Sequence, residues 1–411
     1  MESGAPALPH ERVLKAVLRF SDWLDRYGEN SYDFMTYYAS RYGQRAKALY
    51  YKRPLLGTLA VSPMVFSEAF IPSARKFFWR PQRFPIADAH YAMGFFFLNQ
   101  ALGQKRYNER ACHFLEILEQ TRCSGYDHYS WGYPFDWSTG GGIITQGTPL
   151  ITTEPYVYEA FKQAYQIDGN DRWFRIMRSL AEHVFRDYKD FPTSSSASSC
   201  SYSPDGGSAL VVNANAYRAF LLTSAAVDFS EEKYLKVADR NLNFVVESQN
   251  PDGSWYYAVD VKRSFTDHFH TCFVMKALAK IEGLTGDPRC TTAIERGIDY
   301  YVANLFDERG LPKPFSRAPR LTVYRRELYD YAECVNLGLL LRGRFPKLDE
   351  VVSIVVDQIV SVWQKPDGSF RSRKLWLGWD NTPMHRWAQS QLFRSLCLML
   401  YGNTHSPAPR R

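Results

Sequence analysis

No stretch of this 411-residue chain reaches the ~18 consecutive apolar residues that a membrane-crossing helix needs, so no membrane span is expected. The start, Met1-Glu-Ser-Gly-Ala-Pro, lacks the positive charge and apolar stretch of a secretory signal. Cysteine is sparse. The seven cysteines (112, 123, 200, 272, 290, 334 and 397) are odd in number and include no Cys-x-x-Cys pair. Several fall on helix faces expected to be buried, where a thiol acts as a small hydrophobe, and the compartment this implies is a reducing cytoplasm. Asp-Asp never occurs, so neither the DDxxD that holds magnesium-diphosphate nor the DxDD acid of a terpenoid cyclase is present. Asp-x-Cys, part of the zinc pattern of protein prenyltransferases, is missing too. No cofactor, no resident metal and no nucleic-acid partner is expected. β–α alternation is also lacking, which removes the α/β folds.

Repetition takes its place. A loop phrase that closes an amphipathic helix occurs at Gln249-Asn-Pro-Asp-Gly-Ser-Trp255 and again at Gln364-Lys-Pro-Asp-Gly-Ser-Phe370. Pro fixes φ, Asp bonds its own backbone and Gly takes positive φ, so each copy predicts a tight turn. A second phrase joins helix to helix: Leu102-Gly-Gln-Lys-Arg-Tyr107, Asp168-Gly-Asn-Asp-Arg-Trp173, Phe229-Ser-Glu-Glu-Lys-Tyr234, Thr285-Gly-Asp-Pro-Arg289 and Arg344-Phe-Pro-Lys-Leu348. Gly or Ser ends one helix and a polar residue caps the next. These turns recur every ~60 residues, the length of a helical hairpin plus a long loop.

The helix before each short turn is apolar or small on nearly every face, as in Ala209-Leu-Val-Val-Asn-Ala-Asn-Ala-Tyr-Arg-Ala-Phe-Leu-Leu222. That pattern belongs to a buried helix. The helix after it is one-faced, as in Glu295-Arg-Gly-Ile-Asp-Tyr-Tyr-Val302. An inner ring of buried helices inside an outer ring of amphipathic ones is an all-α fold, the α/α toroid or six-hairpin glycosidase-like barrel. A helix such as 11–27 would complete the sixth hairpin. The chain is divided as an N-terminal helical, basic and aromatic arm (1–85) and a toroid domain (86–411). The arm ends in Ala74-Arg-Lys-Phe-Phe-Trp-Arg-Pro-Gln-Arg-Phe84. It reads either as a docking arm for a membrane surface or partner, or as a segment wrapped on the toroid with its arginines in solvent. Its shortness beside polybasic anchors favours wrapping and leaves peripheral contact as the alternative.

Short turns place every hairpin connection on one rim and the long loops on the other, where binding and catalytic residues concentrate. The N-termini of the inner helices face that rim and suit an anionic ligand, and the net charge of +7 points the same way. The loops alternate aromatics with acids: Tyr126-Asp-His-Tyr-Ser-Trp-Gly-Tyr-Pro-Phe-Asp-Trp137, Trp255-Tyr-Tyr257, Asp267-His-Phe-His270, Leu375-Trp-Leu-Gly-Trp-Asp380 and Met384-His-Arg-Trp387. Aromatic faces stack on sugar rings, while carboxylates and His bond hydroxyls or move protons. Any one of these aromatics also reads as loop packing.

Trp131-Gly-Tyr-Pro-Phe-Asp-Trp137, Gly147-Thr-Pro149, Gln249-Asn-Pro-Asp-Gly-Ser-Trp-Tyr-Tyr257, Asp267-x-Phe-His-Thr271 and Met384-x-Arg-Trp387 resemble a bacterial family of six-hairpin glycosidase-like proteins. Its members tend to be encoded with exopolysaccharide or O-antigen synthesis genes. The resemblance runs from about Asp88 to Leu400 and implies the fold and a polysaccharide context more than a reaction. The chain departs from it at His268, where relatives are expected to carry Asn, and in the run Thr193-Ser-Ser-Ser-Ala-Ser-Ser199, which reads as a mobile loop.

The expected catalytic residues are Asp267, His270, Asp136 and Asp330. Asp267 also reads as a plain N-cap of an inner helix. Trp131, Trp137, Trp255, Tyr257, His268, Trp379, Arg386 and Trp387 are expected to bind substrate. Two carboxyls from different hairpins would suit glycoside hydrolysis. Tyr129, Tyr331 and His270 would suit a lyase or uronate epimerase, with Arg386 and Arg326 holding the carboxylate. Asp267-x-x-His270 supplies two metal ligands and no third. Asn213 and Asn215 are two apart on one helix, so at most one faces the cavity. The expected ligand is an acidic oligo- or polysaccharide. A catalytically silent glycan-binding or assembly protein is the alternative. A terpenoid-cyclase-like toroid, suggested by a Gln–Trp likeness over Arg240 to Trp255, is disfavoured by the missing acids.

Overall fold

The computed structural model describes residues 10–140 and 142–405. The chain opens with α1 (His10–Tyr27), followed by a small helical insert of α2 (Thr36–Ala39), α3 (Arg41–Lys52) and α4 (Pro54–Phe70). Hairpins follow: α5 (Pro85–Leu102) with α6 (Lys105–Gln120), α7 (Glu154–Asp168) with α8 (Asp171–Arg186), and α9 (Val212–Phe229) with α10 (Glu232–Glu247). Then come α11 (His268–Thr285) with α12 (Pro288–Asn304), α13 (Leu328–Leu340) with α14 (Pro346–Gln358), and finally α15 (Ser390–His405). In four of the short turns the residue ending the first helix, Gly103, Gly169, Ser230 or Gly286, is left-handed, with φ between 56° and 69°.

The odd-numbered helices from α5 to α15 form the inner ring. Each packs on the next, and α15 returns onto α5. Helices α6, α8, α10, α12 and α14 lie outside their partners, and α1 covers α15 as the sixth outer helix. The fold is an α/α toroid. Burial follows the sequence pattern: every residue of α9 from Val212 to Ala226 is buried. Its neighbour α8 buries one stripe, Trp173, Ile176, Met177, Leu180, Ala181 and Val184.

The repeated Pro-Asp-Gly phrase proves to be a strap between adjacent outer helices. Asp252 Oδ1 accepts from the N–H (3.0 Å) and Oγ (2.7 Å) of Ser254, and Asp367 does the same for Ser369 (3.0 and 2.8 Å). Gln249 Nε2 then donates to Ala293 O on α12 (2.9 Å), and Gln364 Nε2 donates to Ala16 O on α1 (2.8 Å). Arg296 and Arg19 return the bond, donating to the carbonyls of Asn250 (2.9 Å) and Pro366 (2.7 Å). The α14-to-α1 junction thus repeats the α10-to-α12 junction, so α1 belongs to the ring.

The boundary expected at residue 85 therefore moves. Val13, Val17, Phe20 and Leu24 of α1 share the toroid's core with Tyr91 and Phe393, and among the described residues 28–84 form an insert that joins this core at Met35, Ala39 and Phe84. That insert has a small core of its own around Tyr37, Ala46 and Met64. The serine run is likewise a hairpin tip rather than a mobile loop. β3 (Asp190–Pro192) pairs with β4 (Ser198–Cys200), and Arg240 Nε bonds Ser198 Oγ at 2.9 Å.

On the long-loop rim, the other strands lace the loops together. In the loop between α6 and α7, β1 (Trp137–Thr139) pairs with β2 (Gly142–Ile144) and lies against α2 and α3. β5 (Thr266–Asp267), entering α11, pairs with β6 (Phe315–Arg317). β7 (Tyr324–Glu327), β8 (Arg373–Leu375) and β9 (Trp379–Asp380) join the approach to α13 to that of α15.

The straps explain where glycine is required. A Cβ on Gly368 (φ +100°) would lie 2.3 Å from Arg19 O, and one on Gly253 (φ +89°) 2.2 Å from Arg296 O; Gly103 (φ +66°) has open space. Gly103→Ala should cost about 1 kcal/mol of left-handed strain, whereas Gly368→Ala and Gly253→Ala should cost about 2–4 kcal/mol. Urea denaturation of the three variants checks the order.

Candidate active site

At the mouth of α11 the chain leaves β5 in an extended conformation and turns into the helix at Asp267. Its carboxylate is both a cap and an anchor. Oδ1 accepts the backbone N–H of His270 (2.9 Å), and Oδ2 accepts the Nδ1–H of the same residue (2.6 Å). A carboxylate on Nδ1 makes that nitrogen the donor and leaves Nε2 of the neutral ring as a base. The imidazole meets Tyr257 edge-on at 4.6 Å and Phe273 at 5.5 Å, and it keeps 22% of its side-chain surface open against 2% for Asp267. The imidazole is thus partly open at the mouth and its orienting carboxylate is shielded.

Asp330 stands in the first turn of α13. It is fully buried, and neither carboxyl oxygen has a hydrogen-bond partner. Burial foremost, and then the charges of Glu327 and Asp267, hold its pKa well above the ordinary carboxyl value. Both effects favour the protonated carboxyl over the carboxylate. The Glu327 carboxyl is also raised, mainly by burial, despite its bond to Arg373.

Arg373 begins a buried chain of alternating charge. It bonds Glu327 on one side and Glu68 of the insert on the other (2.5 Å), while Arg75 of the insert bonds Asp380 (2.5 Å). Asp33 takes the Arg386 fork at 2.9 and 2.6 Å, and the third guanidinium nitrogen reaches Tyr133 Oη at 3.1 Å. The insert is thereby pinned over the rim by ion pairs on two sides. Phe34 packs at a tilt on Trp387 at 4.3 Å, and Trp387 in turn packs on Tyr329 at 4.4 Å. Tyr133, Trp137 and Tyr202 continue the aromatic wall, with ring separations of 5.8 and 5.7 Å.

Two cations beside this wall have no acidic partner among the described residues. Lys47 on α3 lies over the Tyr38 ring at 5.6 Å. Burial, and then the charge of Arg320, lower its ammonium to about 8. The same Arg320 acts on Tyr51, and Tyr51 in turn acts on the Tyr257 hydroxyl that borders His270. Deeper in the ring, Tyr156 and Tyr217 share a hydrogen bond of 2.7 Å, and Lys276 pairs with Glu333. Asn213 shares the helix face of Tyr217 and leaves its Oδ1 unbonded, whereas Asn215 is spent outward on the Cys200 N–H (2.7 Å).

The expected residues thus divide. Asp267, His270, Asp330, Tyr257, Trp387 and Trp137 gather on the rim around the ring's mouth. Trp131 and Trp255 do not. Both are sealed in the core, with their indole N–H groups donating to Leu118 O (2.8 Å) and Val245 O (3.0 Å), so they pack hairpins together. His268 faces outward, held between Tyr301 Oη (2.7 Å) and Leu305 O (3.2 Å), and burial lowers its pKa to about 3. Trp379 sits on the face of β8–β9 opposite Arg373 and packs on Trp363 at 5.1 Å. Asp136 accepts the Gln146 N–H at 2.8 Å and shapes a turn. Arg386 is at the site but already satisfied by Asp33, and Arg326 pairs with Asp307. Tyr129 donates to Glu119 at 3.2 Å, and Tyr331 packs on Trp363 at 4.7 Å. Sequence reasoning missed Asp33, Glu68, Arg75, Glu327, Arg373, Lys47 and Arg320, most of them from the insert or from strands that carry no motif.

No protein-family profile matches the chain, and a search of curated proteins finds none that matches it. Solved structures do match. An unsaturated glucuronyl hydrolase specific for heparin superposes with a TM-score of 0.64 at 10% identity, over 98% of this chain and 99% of its own. The cellobiose 2-epimerase of Bacillus thermoamylovorans does so with 0.60 at 11% identity, over 78% and 88%. A polysaccharide lyase gives 0.57 at 12% identity, over 79% and 92%. What is shared is the six-hairpin toroid. Its match to the glucuronyl hydrolase includes α1 and the insert, since nearly the whole chain is covered.

The Arg386–Asp33 pair yields a stability prediction. Asp33→Ala leaves a buried guanidinium without its counter-ion, which should cost about 3–5 kcal/mol. Arg386→Met with Asp33→Ala, removing both charges, should recover most of that in thermal denaturation.

Proposed function

We propose that this chain is a carbohydrate-active enzyme that performs acid–base chemistry on an acidic glycan at the long-loop rim. The observation that carries this reading is a pair of groups in unlike settings at one mouth: His270, whose Nδ1 is held by the Asp267 carboxylate, and Asp330, whose burial without a hydrogen-bond partner favours its protonated form. An imidazole with Nε2 free, beside a carboxyl that favours its proton, is suited to take one proton and give another. The aromatic wall supports sugar stacking, and Lys47 with Arg320 supplies unpaired positive charge beside it. The related toroids acting on sugars, by hydrolysis, epimerisation and elimination, support the substrate class. The bacterial polysaccharide-synthesis setting implied by the motif resemblance belongs to the same proposal.

Among these reactions a His–Asp base favours proton abstraction from carbon. In elimination, His270 Nε2 takes the proton beside a uronate carboxylate and Asp330 gives its proton to the departing glycosidic oxygen, leaving an unsaturated uronate and a free hydroxyl. In epimerisation Asp330 instead gives its proton to the opposite face of the same carbon, and both groups re-equilibrate with solvent. Hydrolysis is the second reading. Its support is that Asp267 lies near enough to Asp330 to raise its pKa, so two carboxyls border one mouth.

Asp267→Asn tests the base. The amide keeps the cap oxygen but offers N–H to Nδ1, which moves the ring proton to Nε2 and removes the base. Turnover should fall by about 10²–10⁴-fold with little change in stability. Far-ultraviolet absorbance of products reports elimination, solvent deuterium in uncleaved glycan reports epimerisation, and new reducing ends alone report hydrolysis. Unchanged turnover in Asp267→Asn would remove the dyad from the chemistry.

Binding has its own signature. Lys47 is charged below about 8, so affinity for an acidic oligosaccharide should weaken as pH rises past that value and as salt is added. Lys47→Gln should flatten the pH dependence, and a neutral oligosaccharide should show none. Trp fluorescence titration measures all three, and equal affinity for acidic and neutral glycans would sink the anionic-substrate reading.

A further inference from the structure

Helix α4 is built inside out. Its single charged residue, Glu68, is buried and bonds Arg75 and Arg373 of the ion-pair chain below. Gly57, Met64 and Glu68 mark the inner face. Gly57 brings α4 so close to α3 that a Cβ there would lie 2.0 Å from Tyr50 Cα. On the opposite face Leu55, Leu59, Phe66 and Phe70 recur at helical spacing and point into solvent. Leu55 is 87% exposed, Leu59 70% and Phe66 59%. The chain then continues through Ile71 to Phe77, 80% exposed, beside Phe78. A soluble surface helix carries polar residues at such positions, and a contiguous apolar patch of this kind marks an interaction surface.

Charge identifies the partner. From Arg41 to Arg83 the only acid is Glu68, which faces inward. Lys52 and Arg53 border the start of the stripe, Lys76 and Arg80 flank its aromatic end, and all four are exposed. Apolar side chains framed by cations, with Trp79 half-buried between Phe78 and Arg80, complement the interface of a bilayer that carries anionic headgroups. Among the described residues no helix is long and apolar enough to cross a membrane, so the contact lies in the plane of the surface. We propose that α4 and residues 71–80 dock the protein on anionic lipid membranes, with Leu55, Leu59, Phe66 and Phe77 entering the acyl boundary and Lys52, Arg53, Lys76 and Arg80 meeting the headgroups.

Co-sedimentation of the full chain with lipid vesicles tests this without reference to any enzymatic activity. The protein should pellet with vesicles of phosphatidylcholine and phosphatidylglycerol, and about tenfold more weakly with phosphatidylcholine alone. The triple variant Leu55→Gln, Leu59→Gln, Phe66→Gln should lose pelleting, and its melting temperature should not fall because these side chains are exposed. Lys52→Glu with Arg53→Glu should remove the preference for phosphatidylglycerol while leaving weak apolar binding. Failure to pellet with either vesicle, or pelleting unchanged in the triple variant, overturns the proposal. So does a concentration-dependent dimer in sedimentation velocity that the triple variant abolishes, since the face would then join two copies of the chain.

Discussion

Closure of the inner ring is the constraint on which the rest of the structure depends. Six helices buried on nearly every face have no stable surface to expose, so each needs two inner neighbours and one outer cover. The last of them, α15, obtains its inner neighbour from α5 and its cover from α1, at the opposite end of the sequence. The strap from Gln364 to Ala16 O, with Arg19 returning to Pro366 O, holds that long-range junction by bonds that elsewhere hold adjacent hairpins. N- and C-terminal segments are therefore one cooperative unit, and the position of everything on the rim follows from it.

Closure also sets the electrostatics of the mouth. The inner helices bring their N-terminal turns together, and those turns carry Asp88, Glu154, Asp267 and Asp330. A carboxylate at a helix start is favourable on its own. Packed into a ring and covered by the insert, such carboxyls lose water together, and each responds according to its partners. Asp267 has the His270 ring and its backbone N–H. Asp330 has no hydrogen-bond partner, and burial raises its pKa well above the ordinary carboxyl value. Two chemically equivalent side chains thereby sit in unlike surroundings, one hydrogen-bonded and one not.

The toroid was legible in the sequence because each of its devices is local. A left-handed Gly or Ser between two helices, a Pro-Asp-Gly strap and a helix apolar on all sides can each be read within ~20 residues. The dyad was legible for the same reason, since Asp267 and His270 are three apart on one turn. The ion pairs Asp33–Arg386 and Glu68–Arg373 span 353 and 305 residues, and no periodicity announces them. Aromatic residues misled in a consistent way. Trp131 and Trp255 sit in motif-rich loops yet point inward, because a loop that must seal hairpin to hairpin needs large side chains as much as a sugar site does. The indole N–H settles such cases: satisfied by a backbone carbonyl, it marks packing.

The insert joins these threads. Glu68 lies inward on α4 and completes the Arg373 charge chain, while the residues one half-turn away are apolar and bare. Helical geometry makes these two faces inseparable: any shift of α4 moves Glu68 against Arg373, and Arg373 against Glu327 at the start of α13. Glu327 is the first charge acting on Asp330. The ion-pair chain Glu68–Arg373–Glu327 thus runs from the inner face of α4 to the carboxyl group that adds charge beside Asp330.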